Sequence, residues 1–352
     1  MTESTAAIAT DMYAVRRAIS GHILGEGIEL GPGPHPFPLD HPGVTVRYVD
    51  RWEPDENRAL FTELEGYEFV KPHVACDLNT DRLKMIDDES QDFVIASHVL
   101  EHMADPLGLL DEIHRVLRPG GIALVLLPDM RRTFDRDRPV TDLDHIVREY
   151  EEKVTDVDDE HVDEFLRYTE DDYETSVAAL TPAAREQLFE RHRQRSIHVH
   201  CWAEDDFEPV IDYAIRNLGH RWEFVDGILT DDEGPEGIEF GYVMRRSEVE
   251  LSPALRAEHF RSTRESWAAL RRQVHAVQAA LADTQRELVG TRQALADTQG
   301  AFAHVDGVLR DTRKALAERA NLGRHLVTDA RRVARRAKRQ LEQRRATNGH
   351  AH

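Results

Sequence analysis

Cysteine is nearly missing from this sequence. Only Cys76 and Cys201 occur in 352 residues. Two distant thiols make no disulfide framework, so the expected compartment is a reducing cytoplasm. No run of 18 apolar residues occurs, which argues against a transmembrane helix. The opening stretch MTESTAAIATDMYAVRR lacks the basic-then-apolar order of a secretory leader. Positive charge is also short: 45 Lys and Arg face 66 Asp and Glu, for a net charge of -21. The deficit is uneven. From Asn321 onward nine basic residues face two acids, so the first 320 residues carry -28. Such a body repels nucleic acid, whereas the tail attracts polyanions. With 40% hydrophobic and 32% charged residues, part of the chain should be an exposed, non-globular segment.

What is present is an alternation of strands and helices. GIEL (27–30), VTVRYVD (44–50), HVACDL (73–78), DFVIAS (92–97) and IALVLLP (122–128) read as strands. The last two are almost wholly apolar, as strands buried on both faces should be. Between them DPLGLLDEIHRVL places Leu107, Leu110, Ile113 and Leu117 at helical spacing, and RPGG stops the helix. The alternation predicts an α/β fold with a parallel sheet and right-handed crossovers. Residues 1–10 are expected to be disordered. Residues 131–196 are helical, polar and charged, and read as an insertion that caps an acceptor site. RWEFVDGILT and IEFGYVMRR then predict an antiparallel strand pair that closes a domain over 11–250.

Beyond Ser252 the pattern changes. Trp267, Val274, Leu281, Leu288, Leu295, Phe302, Leu309 and Leu316 recur every seven residues. Three residues after the first seven of these stand Leu270, Val277, Thr284, Thr291, Thr298, Val305 and Thr312. A seam of about eight heptads predicts a coiled coil over 255–322, and with it a homo-oligomer. Residues 323–352 form a basic amphipathic helix and a disordered tail. Charge of this kind suits an anionic membrane surface, so a peripheral place at the inner membrane face is expected.

The stretch GIELGPGPHPF runs from a strand into a glycine turn. A dinucleotide fold wants a third glycine, and Pro36 stands at that position. A turn serving S-adenosylmethionine has no pyrophosphate to cradle. It needs a close backbone approach at Gly31 and Gly33 and an acid near the ligand's ammonium, which Glu29 supplies. Asp50 ends the second strand, where a carboxylate can take ribose hydroxyls. Asp77 ends the third, where an acid can accept from an adenine amino group.

VLEH, the following DP, and RVLRPGG occur in this order within Asp87–Asp129. The segment resembles the core of class I S-adenosylmethionine-dependent methyltransferases of the type 11 group. The resemblance covers about residues 20–246. It implies a Rossmann-like seven-stranded sheet with a final antiparallel strand, and S-adenosylmethionine as cofactor. It also implies Glu29, Gly31 and Gly33 at the methionine part, Asp50 at the ribose, Asp77 and Leu78 at the adenine, and Ser97 and His98 beside the sulfonium. The departure is His35, with prolines around it, in place of the third glycine.

The acceptor is less legible. SIHVHCW (196–202) offers His198 and His200, which on an extended segment point to one side. They suit a base and its orienting partner, or two metal ligands; no metal is assigned. Asp129 is a further candidate base. Arg131, Arg132, Arg136 and Arg138 suit an anionic acceptor, and salt bridges explain them equally well. The expected activity is O-methylation of a saccharide or other small acceptor. The alternative is a non-catalytic scaffold acting through its coiled coil and basic tail.

Overall fold

The computed structural model describes residues 12–234 and 237–347; the disorder expected for 1–10 and for the chain end beyond 347 lies outside these residues. Helix α1 (Met12–Ser20) precedes strands β1 (Gly25–Leu30) and β2 (Val44–Asp50). Helix α2 (Pro54–Leu60), β3 (Val74–Ala75), β4 (Gln91–Ser97), α3 (Pro106–Val116) and β5 (Leu117–Pro128) follow. Helices α4 (Leu143–Glu152), α5 (Asp159–Thr169) and α6 (Pro182–Gln194) lie in the expected insertion. The chain then gives α7 (Glu208–Asn217), β6 (Trp222–Ile228), β7 (Glu239–Arg246) and α8 (Pro253–Thr347).

The strands form one seven-stranded sheet in the order β3-β2-β1-β4-β5-β7-β6. The first five are parallel, and β7 runs antiparallel to both β5 and β6, as the sequence led one to expect. Alternate residues of β4 and β5 feed opposite faces. Val94, Ala96, Ala123, Val125 and Leu127 join the core beneath α3, α7 and the first turns of α8. Phe93, Ile95, Leu124 and Leu126 join the core that includes Val15 and Ile19 of α1. Both faces are dry, which explains why these strands read as continuous apolar runs. Helix α3 starts where Asp105 accepts the Gly108 N–H at 2.7 Å, with Pro106 at the first helical position. Strand β3 is only two residues long because the chain turns directly afterwards, where the Asp81 N–H reaches the Asp77 carbonyl at 2.8 Å.

The insertion carries its own apolar cluster, with Val162, Leu166, Val177 and Phe189 closing on Ile197 and Val199. The exit of the insertion is thereby fixed to its helices.

The chain divides into two units, Met1–Gln273 and Val274–His352. The first turns of α8 belong to the first unit. Phe260 and Trp267 pack on Phe224, with ring centroids 5.8 and 5.3 Å apart. Arg264 donates to Glu208 at 2.7 Å, and Arg271 to Asp232 at 2.8 Å. Trp267 therefore serves the sheet, which corrects its reading as the first position of the heptad seam. In the second unit the seam residues Val274, Leu281, Leu288, Leu295, Phe302, Leu309 and Leu316 are all exposed. The hydroxyls of Thr284, Thr291, Thr298 and Thr312 each donate to the carbonyl four residues back, at 2.8–2.9 Å. This satisfies the hydroxyl internally, so threonine is tolerated in an apolar seam. The basic run from Arg324 continues the same helix.

Candidate active site

The carboxyl ends of β1 to β4 open on one crevice of about 240 Å³. Gly31 and Gly33 form its floor at φ of 54° and 52°, a region that favours glycine. The Gly31 N–H donates to the Val49 carbonyl at 2.8 Å, and the Gly33 carbonyl accepts from Val70 at 3.0 Å. His35, in place of a third glycine, packs edge-on against Tyr67 at 5.1 Å. Asp50 lies at the crevice wall; burial raises its pKa, against backbone N–H groups of Trp52, Arg51 and Gly33. Asp77 pairs with Arg51 Nε at 3.1 Å and accepts the Asn79 N–H at 3.0 Å. Phe61, Leu64, Phe69 and Met103 supply an apolar surface.

Six of the eight expected cofactor residues line this crevice: Gly31, Gly33, Asp50, Asp77, Leu78 and His98. Ser97 remains in the sheet opposite Leu126. Glu29 is 1% exposed and also stands outside the lining. Its Oε1 accepts the Phe37 N–H at 2.7 Å, so it braces the returning loop from within. Burial pushes its pKa up to about 7, against the lowering effects of that N–H and of Arg16. Its Oε2 is buried without a hydrogen-bond partner.

His98 has a positive φ of 54° and its Nε2 lies 2.8 Å from Glu239, which is held in turn by Arg16. Burial opposes a charge on His98, but Glu239 and Glu101 outweigh it and raise its pKa. Glu239 is pulled down to about 2: burial works against ionisation, and His98 and Arg16 overcome it.

The expected base candidates part company. His198 Nδ1 meets Asp135 Oδ2 at 2.6 Å, and Asp135 also accepts from Arg138 at 2.9 Å. Burial alone would raise the Asp135 pKa; His198 and Arg138 hold it below the usual range. The His198 ring packs edge-on against His102 at 4.9 Å. His102 lines the crevice and lies 2.8 Å through Nδ1 from the Ile197 carbonyl, to which it must donate. Its Nε2 is then bare, and burial lowers its pKa. His200 is fully buried among His145, Glu149 and His161. It is not the partner of His198, which corrects the pairing expected from their spacing; neither of the two lines the crevice, but His198 packs on His102, which does. Asp129 is likewise buried, held by Arg131 at 2.5 Å and by the Thr230 hydroxyl at 2.8 Å. It does not line the crevice, and a carboxylate so occupied is a poor base.

The four arginines are also committed. Arg131 holds Asp129, Arg132 holds Asp231, Arg136 faces Asp137 at 3.7 Å, and Arg138 bridges Asp135 and Glu164. Salt bridges, rather than an anionic acceptor, account for them.

Residues 31–125, from the glycine turn into β5, match the family described as methyltransferase domain. This stretch carries a methyltransferase domain. No curated protein matches the sequence. Among solved structures, the methyltransferase is similar to the 1,6-didemethyltoxoflavin-N1-methyltransferase of Burkholderia thailandensis, with bound S-adenosylhomocysteine. Identity is 15%, coverage is 69% of this chain and 80% of that one, and the TM-score is 0.36. It is similar to a methyltransferase of Aquifex aeolicus at 11% identity, covering 67% and 94% of the two chains, with a TM-score of 0.33. A methyltransferase of Methanosarcina mazei is similar at 15% identity, covering 65% and 97%, with a TM-score of 0.34.

Asn79, Asp135 and Arg195 escaped the sequence reading, and His102, the end of VLEH, counted there only as a structural residue. Asp135 sat inside a run read for its arginines. Arg195 and Ser196 reach the methyltransferase crevice because the insertion ends there. Only Asn79 was within reach of sequence reasoning, two residues after the acid of the third strand.

Proposed function

We propose that this methyltransferase methylates a hydroxyl of a small polar acceptor such as a saccharide, with His198 as the proton-accepting group. The residues present fit the cofactor. Gly33 leaves its backbone open, since a Cβ there would meet nothing within 4 Å. Asp50 and Asp77 stand at successive strand ends for ribose and adenine, and the apolar wall suits the adenosyl group. When bound, S-adenosylmethionine supplies an electrophilic methyl group on a sulfonium.

The chain's part is to align the acceptor and to take its proton. The observation that carries this reading is the Asp135–His198 pair beside His102, next to the end of the crevice formed by Arg195 and Ser196. Asp135 accepts from Nδ1–H, which fixes the tautomer and leaves Nε2 of His198 to receive a proton. His102 offers a second bare Nε2 on the same path. The insertion acts as the cap over this acceptor end.

The test is turnover with isotopically labelled S-adenosylmethionine and cell extract, read by mass spectrometry. A labelled, oxygen-methylated small molecule is expected. His198→Ala should lower kcat by about 10²–10⁴-fold with cofactor affinity unchanged. Full turnover in the double variant His102→Ala/His198→Ala would remove both imidazoles from the chemistry.

A further inference from the structure

A second cluster lies apart from the crevice, where the insertion meets the segment after it. His145 and Glu149 stand four residues apart on α4, so both face the same way. His161 comes from α5, and His200 from the extended chain that leads to α7. One ligand atom from each of the four residues can be chosen so that all lie within 4.8 Å of one another.

The distances are those of converging ligands. Nε2 of His145 and Nε2 of His161 are 3.0 Å apart, and they lie 3.1 and 3.2 Å from Glu149 Oε1. Nε2 of His200 lies 3.3 Å from Glu149 Oε2. Four donors at about 2.0–2.1 Å from a tetrahedral ion are separated by about 3.4 Å. Yet both carboxylate oxygens of Glu149 and both ring nitrogens of His200 are buried without a hydrogen-bond partner. His145 and His161 meet each other, while Glu149 and His200 stand close to them without a hydrogen bond of their own, so the four are aimed at a common point. Leaving such polar atoms unsatisfied inside a protein is costly, and an ion would satisfy Nε2 of His200 and the Glu149 carboxylate together.

We propose that His145, Glu149, His161 and His200 bind a zinc ion. Three imidazole nitrogens and one carboxylate oxygen suit this borderline cation, whereas calcium and magnesium prefer oxygen donors. The outer contacts agree. His161 Nδ1 lies 2.9 Å from Asp158 Oδ1, the carboxylate–histidine arrangement that turns Nε2 towards a metal. Arg148 reaches His145 Nδ1 at 3.0 Å; it is exposed and can swing aside when that nitrogen takes the proton. A cavity of about 340 Å³ lined by all four residues gives the ion a way in.

The ion's role is structural. It ties α4 and α5 to the segment that carries His198 two residues before His200. The site thus sets where the insertion ends and where the neighbouring imidazole stands, without taking part in methyl transfer.

Elemental analysis of the purified full-length protein should give one zinc per chain. Cobalt(II) added to chelator-treated protein should produce the intense visible bands of a tetrahedral site. His161→Gln, at a partly exposed position, should abolish both while the far-ultraviolet dichroism is retained. Asp158→Asn keeps the α5 cap and removes only the outer carboxylate; it should weaken zinc affinity about 10–100-fold. Wild-type protein that carries no zinc and takes up no cobalt overturns the proposal. Equal uptake by wild type and His161→Gln, an adventitious ion only, overturns it as well.

Discussion

Glu29 shows what one residue's surroundings decide. Its position two residues before Gly31 suggested a contact with the ligand. Its burial depends on Phe37, eight residues later, coming back to bond it, and no local spacing encodes that return. His200 is the same case: its spacing from His198 was legible, its partners on α4 and α5 were not. The raised pKa of Glu29 has a consequence for stability. Because the folded pKa is about 7 against 4.5, the folded state holds a proton that the unfolded state releases between those values. The contribution is present below pH 4.5 and is lost as pH rises through about 7. The slope totals about 3 kcal/mol. Glu29→Gln keeps an acceptor for the Phe37 N–H and cannot ionise. Denaturant unfolding of the cofactor-free protein should show wild-type stability falling relative to that of the variant from pH 5 to pH 8. Parallel curves would mean that Glu29 is ionised throughout.

At the scale of elements the central strands were legible because two dry faces impose an apolar run, and α3 because its caps and periodicity agree. Strand β3 was overread, since an edge strand needs few residues before its turn. Helix α8 was legible as a helix, but periodicity alone does not say what covers an apolar stripe. Trp267 falls on the seven-residue rhythm and yet packs on Phe224 of its own sheet. The stripe from Val274 to Leu316 has no such cover among the described residues. Self-association is expected to use these positions, over about 65 Å of helix at ~1.5 Å per residue. Leu288→Glu with Leu295→Glu should turn the oligomer into a monomer in analytical ultracentrifugation without lowering the melting temperature of the methyltransferase domain. An unaltered sedimentation profile, oligomeric or monomeric, would remove the seam from the account.

For the whole molecule, the parallel sheet was readable from the alternation of strands and helices, and the crevice from Asp50 and Asp77 at successive strand ends. The proposed acceptor side was not, because it joins Asp135 near the start of the insertion to 195–198 at its end, which are distant in sequence. Charge was misleading there: Arg131, Arg136 and Arg138 pair with acids one to three residues away, and Arg132 and Arg138 with Asp231 and Glu164, which the fold brings to them. The central claim is that the crevice at β1 to β4 holds S-adenosylmethionine with Asp50 at the ribose. Calorimetric titration of S-adenosylmethionine into the full-length protein and into Asp50→Ala tests it most directly. The account predicts one saturable site per chain in the wild type, weakened in the variant by roughly 1.5–3 kcal/mol, the scale of hydrogen bonds to a charged group. Absence of binding, or equal affinity in the two proteins, would contradict it.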